Sequence, residues 1–208
     1  MTNRFSTSIK LAILISLLTL PACQEEKGYA DESYLQKVLE HRSEKDSYMR
    51  GDPDSPFNAR SKVEFQPLKY YDIDPKMRFE SKLTEYPEKD TILIYGTKGE
   101  ERETVRYGYL EVHFENIKHR INVYKSAGRD GNFYYSIWFT DRTTGSSSYG
   151  VGRYLDFELK NDPEYVYSLD FNYAYNPYCS YSPDYSCAIP TKEDYLDFAV
   201  TAGEKTFH

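Results

Sequence analysis

From Met77 to Phe171 the chain breaks repeatedly into short stretches that alternate apolar and polar residues between turn residues, and that pattern confines it to a β architecture. Met77–Tyr86 alternates through Phe79, Ser81, Leu83 and Glu85, and Ile92–Tyr95 is an apolar run. Val105–Phe114 alternates twice, first through Tyr107 and Tyr109 and then, after a shift, through Leu110, Val112 and Phe114. Asn116 marks a turn, and Ile117–Lys125 alternates again through Ile121 and Val123. Phe133–Phe139 carries the only tryptophan, Trp138, and is the most apolar of these segments. It lies between two turn-rich stretches, Gly128–Gly131 and Asp141–Gly145. Gly152–Leu159 and Tyr165–Phe171 follow, joined through Asn161-Asp162-Pro163. Val63–Phe65 and Tyr195–Val200 add one short segment at each end. Successive side chains on a strand point to opposite faces, so each segment has one face to bury. The expected fold is mainly β: an antiparallel sandwich or partly open barrel of about nine short strands.

One helix precedes the strands. Tyr34, Leu35, Val38, Leu39 and Arg42 recur at helical spacing, Asp31 stands where an N-cap belongs, and Arg50-Gly51-Asp52-Pro53 supplies the stop. Gly51–Asn58 then reads as a loop rich in Pro and Asp.

The first 22 residues have another purpose. Arg4 and Lys10 form a basic start, Leu11–Leu20 an apolar stretch, and Leu20-Pro21-Ala22-Cys23 resembles a bacterial lipobox in which Pro21 is a less usual occupant. The apolar stretch is too short for a permanent membrane span, which predicts a cleaved export signal. Residues 1–22 are therefore expected to be a lipoprotein signal peptide, 23–30 a lipidated Cys23 with its tether, and 31–208 a single β-rich domain. The plainer alternative is an ordinary secretory signal with an incidental cysteine. Gln24 after the lipidated cysteine lacks the aspartate that retains lipoproteins at the inner membrane, which favours the outer membrane in a Gram-negative cell. Partners follow from this: the membrane through the anchor, together with a small molecule or another envelope protein.

The full chain carries 26 basic and 33 acidic side chains, a net charge of −7, and loss of Arg4 and Lys10 takes it to −9. An acidic surface of this kind disfavours nucleic acid and anionic headgroups. The 22 tyrosines invite a sugar-stacking reading, but high strand propensity and tolerance of one wet end account for tyrosine more economically.

The stretch Asp170–Pro190 does not look like ordinary core. Asn, Pro and Tyr crowd together there, and it holds Cys179 and Cys187. With Cys23 consumed by lipid, these two remain as an even pair in an oxidising compartment, which favours a disulfide. Closing so small a loop contributes roughly 2–3 kcal/mol. Two alternatives stay open: a metal site combining both thiolates with His113 and His119, which flank the turn at Asn116, and a redox pair. The spacing is not of the CxxC kind that favours either, and no cofactor is expected.

Several of these runs carry a family resemblance. They are Phe139–Gly145, Ser148–Asp156, Asp170–Cys179, Tyr185-Ser186-Cys187 and Ala202–Lys205, with a weaker segment from Phe65 through Leu68–Asp74. On them the chain resembles an uncharacterised bacterial family, domain of unknown function 1684, over most of residues 30–208. The family pattern has Pro after the second cysteine and Asn near position 194, where this chain has Ala188 and Asp194. The resemblance implies no activity.

The polar candidates cluster around a glycine-rich hairpin. Asp141, Arg142 and Arg153 flank it, Tyr149 lies within it, and Asp170, Asn172, Tyr175 and Asn176 open the cysteine-bearing loop. Arg153 offers a bidentate fork to a carboxylate or phosphate, or pairs internally with Asp141 or Asp170. No phosphate-binding loop, nucleophile elbow or zinc-protease motif occurs. The expectation is a non-enzymatic ligand-binding or accessory lipoprotein whose surface comprises Asp141, Tyr149, Arg153, Asp170, Asn172, Tyr175 and Asn176. The alternatives are an envelope hydrolase using Asp141 or Asp170 as general base, with Glu193 as a third carboxylate in reach, and an envelope scaffold.

Overall fold

Eight strands form one curled sheet that stops short of closing into a barrel. They are β1 (Arg78–Glu85), β2 (Thr91–Tyr95), β3 (Glu101–Phe114), β4 (Ile117–Ala127), β5 (Phe133–Asp141), β6 (Arg153–Phe157), β7 (Val166–Asp170) and β8 (Tyr195–Leu196). The structure is a computed structural model that describes residues 31–128 and 130–208. The expected signal peptide, Cys23 and the tether lie outside the described residues.

The sheet runs β6-β5-β4-β3-β1-β7, with β2 beside β3 and β8 beside β5. Every pairing is antiparallel except that of the two-residue β8, which lies parallel to β5. Register follows the apolar pattern: Leu83 sits opposite Leu110, which sits opposite Ile121. A one-residue slip would turn those side chains to solvent. The β3–β4 hairpin turns at Glu115 and Asn116, both at positive φ (49° and 64°), the geometry whose twist matches the flanking strands. The shift in the alternation of Val105–Phe114 is a bulge between Arg106 and Gly108. A Cβ on Gly108 would lie 2.6 Å from the Thr84 carbonyl, so the bulge lets β1 approach closely. Inside the curl, Leu110, Val112, Ile121, Val123, Ile137 and Phe139 pack with Phe171 and Phe198.

Helix α1 (Glu32–Gly51) starts where Asp31 accepts a hydrogen bond from the Ser33 amide, 3.1 Å, and ends at Asp52. Its inward row is Val38, Arg42, Lys45 and Met49, with Val38 and Met49 fully enclosed. Leu39, expected on the apolar face, turns outward and is 52% exposed. No helix among the described residues is long and apolar enough to cross a membrane.

Two expected strands need correction. Val63–Phe65 is extended but joins no ladder; it packs on the second core beneath α1, formed by Met49, Phe57, Leu68, Tyr181 and Phe207. Tyr195–Val200 is a strand only at Tyr195–Leu196. Phe198 and Val200 keep the alternation because both enter the main core, yet their backbone is satisfied by the Arg142 amide and the Asp141 carboxylate.

The unclosed edges matter most. β6 and β7 are the two ends of the sheet path and do not pair with each other. An unpaired edge must be covered. The loop at Tyr175 bridges β6 at Tyr154, and α1 lies along the remaining seam.

Candidate functional site

Arg153, at the start of β6, is wholly enclosed. Its NH2 donates to Asp141 Oδ2 at 3.0 Å and to the Val200 carbonyl at 2.7 Å, and its NH1 to the carbonyls of Ala202 (2.5 Å) and Glu204 (3.1 Å). Asp141 spends Oδ1 on the Thr143 amide, the Thr143 hydroxyl and the Val200 amide. Of the two expectations for this fork, the internal pair with Asp141 is realised and the offer to an outside ligand is not; the fork ties the C-terminal segment to β5 and β6. Asp141 and Arg153 line neither of the cavities described below. Gly203 belongs to the same tie: at φ 74° any Cβ would stand 2.5 Å from the Ala174 carbonyl.

Asn172 and Asn176 are likewise internal. Asn172 accepts from the Asp74 amide and donates to Tyr34, Asp170 and the Asp74 carbonyl. The Asn176 side chain donates to the Lys205 carbonyl, and its amide donates to Glu204 Oε2. They hold loops in place.

Asp170 and Tyr175 stand elsewhere. At the seam a cavity of about 780 Å³ opens between α1 and the ends of β6 and β7. The helix contributes His41, Lys45, Tyr48 and Met49; β6 contributes Tyr154, Leu155 and Asp156; β7 contributes Ser168, Leu169 and Asp170. The far wall is Tyr173, Tyr175, Pro177 and Tyr178 with Tyr185, Ser186 and Cys187. A second cavity of about 520 Å³ continues toward the start of α1, past Tyr34 and Lys37, and meets the first at Ser168, Asp170 and Tyr173. Concave, well-formed sites at the mouth of a barrel are where ligands bind by preference.

The cleft hydroxyls are organised in pairs. Tyr175 donates to Asp156 Oδ1 at 2.6 Å, Tyr34 donates to Asp170 Oδ2 at 2.8 Å, and the Tyr48 and Tyr178 hydroxyls are hydrogen-bonded to each other at 3.3 Å. Burial above all pushes the phenols of Tyr34, Tyr154, Tyr175 and Tyr178 well above their usual range, so they remain donors. Lys45 Nζ stands 4.3 Å over the Tyr175 ring and 2.8 Å from Glu204 Oε1, a charge contact and not an aligned hydrogen bond. Glu204 is 1% exposed, and its Oε2 accepts from Tyr181 and the Asn176 amide. Desolvation, and then the Lys45 charge, hold His41 below the usual imidazole range and therefore neutral at pH 7.

Cys179 and Cys187 are half-buried free thiols, and the Cys179 amide donates to Cys187 Sγ at 3.2 Å. Tyr149 sits over Cys179, its hydroxyl 3.4 Å from the carbonyl and 3.8 Å from Sγ. The hydrogen bond between the thiols lowers Cys179 to about 6 and pushes Cys187 up. In the reduced protein, iodoacetamide is therefore expected to modify Cys179 first, with the rate falling as pH drops through about 6. Equal rates for both thiols with a midpoint near that of free cysteine would contradict this sharing. The histidines do not complete a metal set. Register places Val112 opposite His119 and His113 opposite Lys118, so the two rings lie on opposite faces, and His119 packs edge-on against Phe198 at 4.8 Å.

Of the expected residues, then, the structure brings Asp170 and Tyr175 to one cleft, sets Tyr149 beside the thiols, and buries Asp141, Arg153, Asn172 and Asn176 as supports. His41, Lys45, Asp156, Tyr173, Tyr178 and Glu204 were missed. The helix residues carried a signal: Tyr34, Lys37, His41, Lys45 and Tyr48 follow one another at three- and four-residue spacing, a single polar-aromatic stripe.

A family model described as "Protein of unknown function (DUF1684)" matches residues 63–205. No curated protein matches the chain. Among solved structures, the chain is similar to the solution NMR structure of an uncharacterized protein from the archaeon Haloarcula marismortui. The two are 29% identical with a TM-score of 0.62, over 84% of this chain and 95% of that one.

Proposed function

The chain belongs to the DUF1684 family, and on that premise we propose that it is a lipid-anchored cell-envelope protein that binds a ligand in the seam between α1 and the sheet. The observation that carries this is the position of the cleft. The sheet leaves its two edges apart, and six tyrosines with Asp156 and Asp170 gather in the gap. The lipobox at Cys23 supports the anchor and an exported location. The proximity of Cys179 to Cys187, on the rim of the same cleft, supports a disulfide in that compartment.

The hydrolase alternative has less in its favour. Asp141 is committed to Arg153, Thr143 and Val200, and Asp170 accepts from Tyr34 and twice from Asn172. A general base needs a lone pair within reach of substrate.

Amide NMR of the full chain in detergent micelles, titrated with a small-molecule fragment library, tests the cleft. Shifts are expected to concentrate on α1, β6, β7 and residues 173–187; shifts scattered over the surface, or none, would overturn the reading. For the anchor, cells fed a clickable palmitate should tag the wild type and not Cys23→Ser.

A further inference from the structure

Resting on that cleft reading, we infer that the ligand is a saccharide chain, held as an extended polyol along α1. Three observations select this class over others.

The first is the lining. Small-molecule pockets in general are lined by apolar and aromatic side chains with a few placed polar groups, and which aromatic and which polar groups decides the class. Here Met49, Leu155, Leu169 and Pro177 are the aliphatic contribution, while tyrosines and hydroxyl–carboxylate pairs make up most of the rest. A tyrosine ring gives an apolar face to the C–H side of a pyranose, and its rim offers a hydrogen bond. Tyr175 with Asp156, whose carboxylate is exposed and accepts only the Tyr175 hydroxyl, leaves acceptor lone pairs free beside a fixed ring. That is what a ring bearing several hydroxyls requires.

The second is charge. Lys45 is answered by Glu204 and already occupies the Tyr175 face, and His41 is neutral at pH 7. The second cavity sets Lys37 and Arg78 against Asp31 and Asp170. The charged side chains lining the two cavities thus carry no net positive charge to draw in a phosphate or carboxylate ligand. A quaternary ammonium, which also favours aromatic and acidic walls, meets a cation already in place.

The third is shape. The two cavities adjoin at Ser168, Asp170 and Tyr173 and follow one another along the helix, the first against His41–Met49 and the second against Asp31–Lys37. An extended oligomer spans two adjoining cavities where a compact molecule fills one.

Isothermal titration of the full chain in non-glycosidic detergent with chitotetraose, cellotetraose and maltotetraose tests the inference. At least one is expected to bind saturably, and Tyr173→Ala and Asp156→Asn should each weaken it about threefold to tenfold. Asp156 is exposed on β6, so its variant carries little risk to folding. Binding unaltered in both variants, or no binding by any of the three, would overturn the saccharide class. If the saccharides fail while fragments still shift cleft amides, the class falls and the cleft reading stands. If both fail, both fall.

Discussion

Arg153→Ala is expected to cost about 3–5 kcal/mol of stability, the range for breaking a buried ion pair from one side. The reason is what it leaves behind. Asp141 keeps its carboxylate with no cation, and the carbonyls of Val200, Ala202 and Glu204 lose their donors in a place solvent does not reach. Each orphaned acceptor adds to the loss, since a buried polar group without a partner bears its full desolvation cost. Phe139 and Tyr71 also lose contact with the guanidinium, which lies 5.3 and 5.6 Å from their ring centroids. Urea unfolding should show a lower midpoint at unchanged m. A loss below about 1 kcal/mol would contradict the tie between the C-terminal segment and the sheet. Where the variant remains folded, cleft ligands should still shift the same amides, because Arg153 lies on neither cavity wall.

Arg153 also shows where sequence stops being informative. Alternation makes a strand legible because one face is buried and the other is not; that held for Phe79, Leu110, Ile121 and Phe139. The partner of a charged side chain has no such local mark. The fork beside a glycine-rich hairpin allows a ligand or an internal pair, and the pair with Asp141 is the one realised, but its other acceptors are backbone carbonyls some fifty positions later, which no spacing rule points to. Val63–Phe65 misleads in the same way, since its alternation reports packing on α1 and not a strand partner. The helix was legible as a helix, and Arg42 stood in its periodic set, but the inward row also contains Lys45, which looks solvent-facing until Glu204 is placed beneath it. Asp170 and Tyr175 could be singled out because they stand in an unusual loop. The cleft itself depends on β6 and β7 failing to pair, a property of the whole sheet.

Lys45 is the residue in which fold and cleft meet, and Lys45→Met is expected to destabilise the protein by about 3 kcal/mol although the replacement is a good helix former of similar length. Glu204 would be left as a carboxylate with no cation, enclosed under α1, with only Tyr181 and the Asn176 amide for partners. Glu204→Gln should be milder, about 1–3 kcal/mol, because the amide oxygen can still accept those two bonds and Lys45, 15% exposed, can swing its ammonium into the cleft. The double variant decides between charge and packing. If the pair acts through charge, Lys45→Met with Glu204→Gln will be less destabilised than the two singles added, by about 1–3 kcal/mol of coupling. Strict additivity would mean that α1 is held on the sheet by its other contacts, such as Val38, Met49 and the Arg42 bond to the Tyr71 carbonyl, and that Lys45 is a cleft residue only. The coupled outcome would make the same ammonium both the clamp that seats α1 and the cation already lying on Tyr175. Ligand contacts at Tyr175 would then bear on how firmly the helix covers the seam.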